Sequence, residues 1–274
     1  LNKLLIEINE NIEFFNDINF ECLIVNDAST TQLPELHKPG NFESIELLNM
    51  RENRGHARCN AFGIRYIFQN KKFDNLILMD GDGEDRPEEL ALLVEKIKDY
   101  PDTVITANRV KRSEGFIFKF CYLAHKYLTF IFTGQNIKYG NYTCLPKSAI
   151  NEMVNEPATW SSFSGSLAKT VNNKKSIPSE RGTRYFGPSK MSFVNLLKHS
   201  LSIIAVFKKT LLIRSILFLI IYLFLILGKI SIITLIPVFA VIIMMLSVII
   251  LSKRENMTEF NGSLENIEII DKIK

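Results

Sequence analysis

The sequence predicts a three-layer α/β domain with a mainly parallel sheet, followed by an amphipathic in-plane helix and a two-helix apolar hairpin. Three observations predict it. Helix-like and strand-like segments alternate over the first hundred or so residues, as in a sheet covered by helices on both faces. The apolar run Leu76-Ile77-Leu78-Met79 ends in Asp80-Gly81-Asp82-Gly83-Glu84-Asp85-Arg86-Pro87-Glu88. It does not alternate, which suits a parallel strand buried on both faces. Third, 47% of the 274 residues are hydrophobic at a formal charge of +4, and the surplus lies between Leu211 and Leu251.

Leu4–Ile12 has a helix-like pattern. Phe20–Val25 reads as a strand, closed by Asn26-Asp27-Ala28-Ser29-Thr30. Two readings of that closure stand equally: hydrogen bonds to a nucleobase or ribose, or a helix cap or Asx-turn. Ile45–Asn49 is the next strand and leads into Asn53-Arg54-Gly55-His56-Ala57-Arg58, a loop before a helix of small residues. Arg54, His56 and Arg58 there suit phosphates at a helix start, or a plain basic turn.

Asp80 and Asp82, two apart across a glycine, repel each other unless a cation sits between them, and oxygen ligands suit Mg2+ or Mn2+. The alternative is a solvated acidic loop before a helix whose first turn is Pro87-Glu88-Glu89. That helix runs to about Lys98, and Thr103–Ala107 is the following strand. Beyond it Arg109, Lys111 and Arg112 suggest anion binding, with a solvated charge run as the alternative. Phe116–Phe132 is too interrupted by charge to cross a bilayer and reads as amphipathic. Gly140–Leu145 is a short strand, and Trp160 is as readily core as substrate platform. Ser179–Lys190, with Arg181, Arg184, Ser189 and Lys190, suits a loop that wraps phosphates. The four cysteines lack metal or disulfide spacing and read as buried thiols. The histidines have no metal spacing either.

Residues 191–209 read as an interfacial helix. Residues 210–252 read as two transmembrane helices, about 210–228 and 230–252, with Arg214 snorkelling to the headgroups and Pro237 predicting a kink. The flanking Lys198, Lys208, Lys209, Arg214, Lys253 and Arg254 outweigh Lys229 in the turn. The positive-inside bias therefore places the domain before the hairpin and the tail, residues 253–274, in the cytoplasm of a multi-pass protein expected in the plasma membrane.

Taken together, Val25–Thr30, Asn53-Arg54-Gly55-His56, Met79–Glu88, the Arg–Gly187–Ser189–Lys190 loop and the apolar hairpin resemble the family 2 glycosyltransferases of the GT-A fold. The likeness is to the membrane-attached polyprenyl-phosphate type related to dolichol-phosphate mannose synthase and bactoprenol glucosyltransferase. It implies a catalytic domain over residues 1–190 and inverting transfer of a sugar, UDP-hexose favoured, from a nucleotide-sugar donor to polyprenyl phosphate in cell-envelope biosynthesis. It implies no nucleic-acid partner and leaves room for a homo-oligomer. By the same resemblance Asn26, Asp27, Arg54 and Asp80 bind nucleotide. Asp80 and Asp82 hold the metal, and Asp82, Asp85, Arg109 and Arg112 serve catalysis and the acceptor phosphate. Arg181, Arg184, Ser189 and Lys190 close over the site. Three departures stand out: the family's opening strand is absent, Asn26 replaces an aspartate, and Gly83-Glu84 replaces a glutamine context. A transferase using another lipid or glycan acceptor and an inactive membrane scaffold are the alternatives. A processive synthase is disfavoured because Trp160 follows Thr159 and no Gln-x-x-Arg-Trp motif is present.

Overall fold

The computed structural model describes residues 1–111, 116–187 and 192–274. Arg112, Ser189 and Lys190 lie outside the described residues. In chain order the elements begin with helix α1 (Asn2–Ile12), strands β1 (Phe20–Asn26) and β2 (Phe42–Met50), α2 (His56–Asn70), β3 (Asn75–Leu78), α3 (Glu88–Asp99) and β4 (Val104–Lys111). They continue with α4 (Phe116–Thr133), β5 (Tyr139–Pro146), α5 (Lys147–Val154), a 3-10 turn at Pro157–Trp160, α6 (Phe163–Thr170) and β6 (Lys174–Glu180). Helices α7 (Phe193–Ala205), α8 (Lys208–Leu225), α9 (Ile232–Ser252) and α10 (Met257–Asn261) and strand β7 (Ile267–Ile273) complete the chain.

The three layers expected from the sequence are present, and strand alternation explains them. In β1, Cys22 and Ile24 face α1 and α3 with Leu5, Leu90 and Val94, while Leu23 and Val25 face α2 with Phe62 and Tyr66. In β3, Ile77 turns to α3, and Leu76 and Leu78 turn to α5 and α6. Each strand is thus apolar at successive positions because both of its faces meet helices.

The sheet is not mainly parallel. Two groups of strands form, in the orders β1-β2-β7 and β3-β5-β4-β6. Only β1 with β2 and β4 with β6 pair in parallel; β2 with β7, β3 with β5 and β4 with β5 pair antiparallel. Strand β5 enters between β3 and β4 against their direction, and β7 returns antiparallel along β2. Among the described residues no pairing joins β1 to β3. Their facing edges instead line a cavity of about 2960 Å³, which leaves Leu23, Ile24, Val25, Ile77 and Leu78 half-buried rather than buried. Helices hold the two sheets together: Ile77 of β3 packs into the same cluster as Leu5, Phe42 and Ile45.

The two-helix transmembrane hairpin is overturned. Among the described residues one helical run, Ile232–Asn261, is long and apolar enough to cross a membrane. Helix α8 is not, because Lys208, Lys209 and Arg214 fall within its 18 residues, each costly at bilayer depth. The multi-pass expectation falls with it. Nor does Arg214 snorkel: its guanidinium donates to the carbonyls of Phe130 (3.3 Å) and Ile131 (2.9 Å), capping the end of α4. Leu211 and Ser215 of α8 are buried, Leu211 among Phe132, Ile204 and Val241. Pro237 lies inside the continuous helix α9.

The segment expected as a tail is part of the α/β domain. Strand β7 pairs with β2 from Ile45↔Ile273 to Met50↔Ile267. Phe260 is fully buried and stacks on Trp160 at 5.7 Å, which settles Trp160 as core. Cys144 is buried, and burial pushes its thiol up to about 12; Cys22 and Cys59 are half-buried and unbridged.

Candidate active site

The carboxyl ends of β1, β3 and β4, the start of α2, the second and third residues of β5 and the chain after β6 meet at one edge of the two sheets. At the end of β1, Asn26 behaves as an Asx residue. Its amide donates to Asn49 Oδ1 (2.8 Å), and its carbonyl oxygen accepts from the Ser29 N–H (3.1 Å). Asn49 in turn donates to Asp271 of β7 (3.0 Å), so a polar ladder crosses the three strands.

Asp27 builds the loop before α2. Its two carboxylate oxygens accept the backbone N–H groups of Arg54 and Gly55, each at 2.8 Å, and Asn53 donates to its carbonyl at 2.8 Å. Gly55 sits at φ 85°, a conformation glycine adopts without a Cβ penalty. The Arg54 guanidinium pairs with Glu52 (2.8 Å). Arg58 pairs with Glu259 (3.0 Å) and lies over Trp160. Of the three basic residues read from this loop, only His56 reaches the acidic pair, at 3.6 Å from Asp80 Oδ1.

After β3 the chain turns through the carboxylates. Asp80 Oδ1 accepts from Asn141 Nδ2 (3.2 Å), and the Asp80 N–H donates to Asp85 (3.0 Å). Asp82 accepts the Glu84 N–H (3.0 Å) and pairs with Arg184 (3.0 Å). Glu84 is the hub of this loop, taking Arg184 Nε at 2.9 Å and Arg181 as well. Burial works against its charge, but the two arginines outweigh it and hold the carboxyl below its ordinary range.

Asp85 is 4% exposed and faces Arg109 at 3.7 Å. Burial, then the nearby Asp80 charge, pushes its carboxyl up to about 7 against the pull of the Asp80 N–H and Arg109.

The chain after β6 docks on this loop backbone to backbone. Gly182 N–H donates to Glu84 O (2.8 Å) and Tyr185 N–H to Asp82 O (3.1 Å). A Cβ on Gly182 would lie 2.6 Å from the Gly83 carbonyl oxygen, so only glycine permits the approach. The Tyr185 ring covers Gly83, its hydroxyl meets Glu7, and Lys3 sits over its face. The structure thus brings together Asp80, Asp82, Asp85, Arg109, Arg181 and Arg184. It places Asn26, Asp27 and Arg54 on the neighbouring loops. Sequence reasoning missed Asn141, Glu84 as a hub and Tyr185; Glu84 alone had a local signal, lying between two acidic residues already singled out.

Among the described residues no three His, Cys, Asp or Glu side chains converge as a metal cage. Asp80 and Asp82 still fit Mg2+ or Mn2+, because such ions are held by one or two carboxylates with phosphate oxygens and water completing the shell.

Residues 5–151, more than half of the chain, match the family described as glycosyl transferase family 2. The chain is also 27% identical over 188 residues to an undecaprenyl-phosphate 4-deoxy-4-formamido-L-arabinose transferase of Enterobacter sp. (strain 638), covering 65% of this chain and 55% of that protein. It therefore spans about half the length of the curated relative it matches.

Proposed function

The chain belongs to glycosyl transferase family 2, and from that premise we propose that it transfers a hexose from a nucleoside diphosphate, UDP favoured, to a polyprenyl phosphate. The family places it among enzymes that move a sugar from a nucleotide donor on a GT-A-like domain. The acceptor is our reading, and one observation carries it. The cavity that holds Asp80, Asp82 and Arg109 also runs past Lys126, Lys138 and Lys198 to Leu201, Ile204, Val241 and Met244 of α7 and α9. A cationic mouth opening on an apolar wall matches an amphiphile with an anionic head and a long hydrocarbon tail.

On this reading Asp80 and Asp82 hold Mg2+ or Mn2+ with the donor diphosphate, which when bound stabilises the charge on the departing nucleotide. Arg181 and Arg184 exchange their carboxylate partners for phosphate oxygens. Asp27 acts on the nucleotide side by shaping the Asn53–Gly55 loop, with Asn26 and Arg54 beside it. Arg109 orients the acceptor phosphate, and Asp85 fixes Arg109. A phosphate acceptor is already anionic at neutral pH, so no strong general base is needed, and direct attack inverts the anomeric carbon.

The test places the protein in mixed micelles with undecaprenyl phosphate and Mn2+, and offers radiolabelled UDP-glucose, UDP-galactose and GDP-mannose. Label should enter the organic phase from one donor, with an inverted anomeric proton by NMR. Asp82→Ala should lower turnover at least a hundredfold, about 3 kcal/mol of transition-state stabilisation. Nucleotide binding without lipid labelling would refute the acceptor; no nucleotide binding would refute the transferase.

A further inference from the structure

We propose that Asn141 and His56 are positioning residues for Asp80, fixing one oxygen of its carboxylate so that the other faces the cation and diphosphate. The inference rests on the transferase reading above. Its basis is a convergence of three elements: the loop after β3 carries Asp80, β5 carries Asn141, and α2 opens with His56.

Asn141 Nδ2 lies 3.2 Å from Asp80 Oδ1 and 2.6 Å from His56 Nε2. A primary amide carries two hydrogens, so one nitrogen serves both acceptors at once. The network assigns the imidazole its Nδ1–H tautomer, with the Nε2 lone pair turned to Asn141. His56 Nε2 lies 3.6 Å from Asp80 Oδ1, and Asn60 Nδ2 is a longer contact of the same nitrogen at 3.4 Å. On its other side Asp80 is tethered through its backbone N–H to Asp85.

His56 is itself fixed. It follows Gly55, whose N–H, with that of Arg54, is held by Asp27 at the end of β1. A continuous line therefore runs from Asp27 through the loop, His56 and Asn141 to Asp80. It joins the end of β1 to the end of β3. A carboxylate free to rotate loses ligand geometry, and hydrogen bonds behind a ligand restore it.

The experiment titrates MnCl2 into the protein with and without UDP and follows free Mn2+ by its EPR signal. Asn141→Ala and His56→Ala should weaken Mn2+ binding roughly ten- to hundredfold, the usual loss when support behind a ligand is removed. His56→Gln, which returns an acceptor to Asn141, should recover most of it, a rescue that a merely structural effect would not give. Wild-type Mn2+ affinity in Asn141→Ala and His56→Ala, with affinity lost in Asp80→Ala, overturns the positioning role and leaves the transferase reading standing. Failure of the wild-type protein to bind Mn2+ overturns the metal site and this inference together. Should Asn141→Ala not fold, the His56→Ala and His56→Gln pair decides.

Discussion

Gly182→Ala tests how the chain after β6 is held over the acidic loop. The new Cβ would stand 2.6 Å from the Gly83 carbonyl oxygen and 3.1 Å from Arg86 Cγ. The first contact is with backbone, which cannot swing aside, so the insertion costs about 1–3 kcal/mol. Docking rests on two backbone hydrogen bonds worth about 1 kcal/mol each, plus the half-exposed pairs of Arg181 and Arg184. These terms are similar in size, so the segment should open while the sheets stay folded. The open fraction should rise roughly 5- to 150-fold for that cost, at tenfold per 1.4 kcal/mol. Trypsin cleavage after Arg181 and Arg184 reports that population when reclosing is fast. The rate should rise accordingly, with little change in the unfolding midpoint. Gly40→Ala, where no atom lies within 4 Å of the new carbon, should cleave like wild type. Unchanged cleavage in Gly182→Ala would refute the backbone clash.

Two further outcomes follow from burial. The folded protein holds a proton on Asp85, at about 7, that the unfolded chain loses near 3.8; stability therefore falls as pH rises between those values and levels above them. In EDTA, Asp85→Asn should gain in Tm relative to wild type from pH 4 to pH 8, and parallel profiles would refute the buried proton. Phe260→Ala should destabilise the domain by about 3–5 kcal/mol and shift the fluorescence of Trp160, the only tryptophan; an unchanged midpoint would mean the C-terminal segment does not hold the sheet.

How much was legible in the sequence depended on distance along the chain. The strand ending in Asp80-Gly81-Asp82 and the glycine–arginine loop carry their chemistry within a dozen residues, and both reach the site. Helix α8 was misread because apolar length was counted ahead of Lys208, Lys209 and Arg214, whose guanidinium caps a helix 83 residues away. Strand β7 gave no signal of its own: pairing with β2 spans more than two hundred residues, and only the assembled sheet supplies its partner. The direction of β5 was equally hidden, since alternation reports faces and not polarity. Asn141 meets Asp80 across 61 residues, and nothing in Gly-Asn-Tyr marks it beforehand.

The polar ladder Asn26–Asn49–Asp271 ties the last strand of the chain to the turn that carries Asp27. After α9 the chain returns to the far edge of the first sheet and pairs along β2. The C-terminal segment is therefore a clasp, holding from behind the strand whose end shapes the loop before α2.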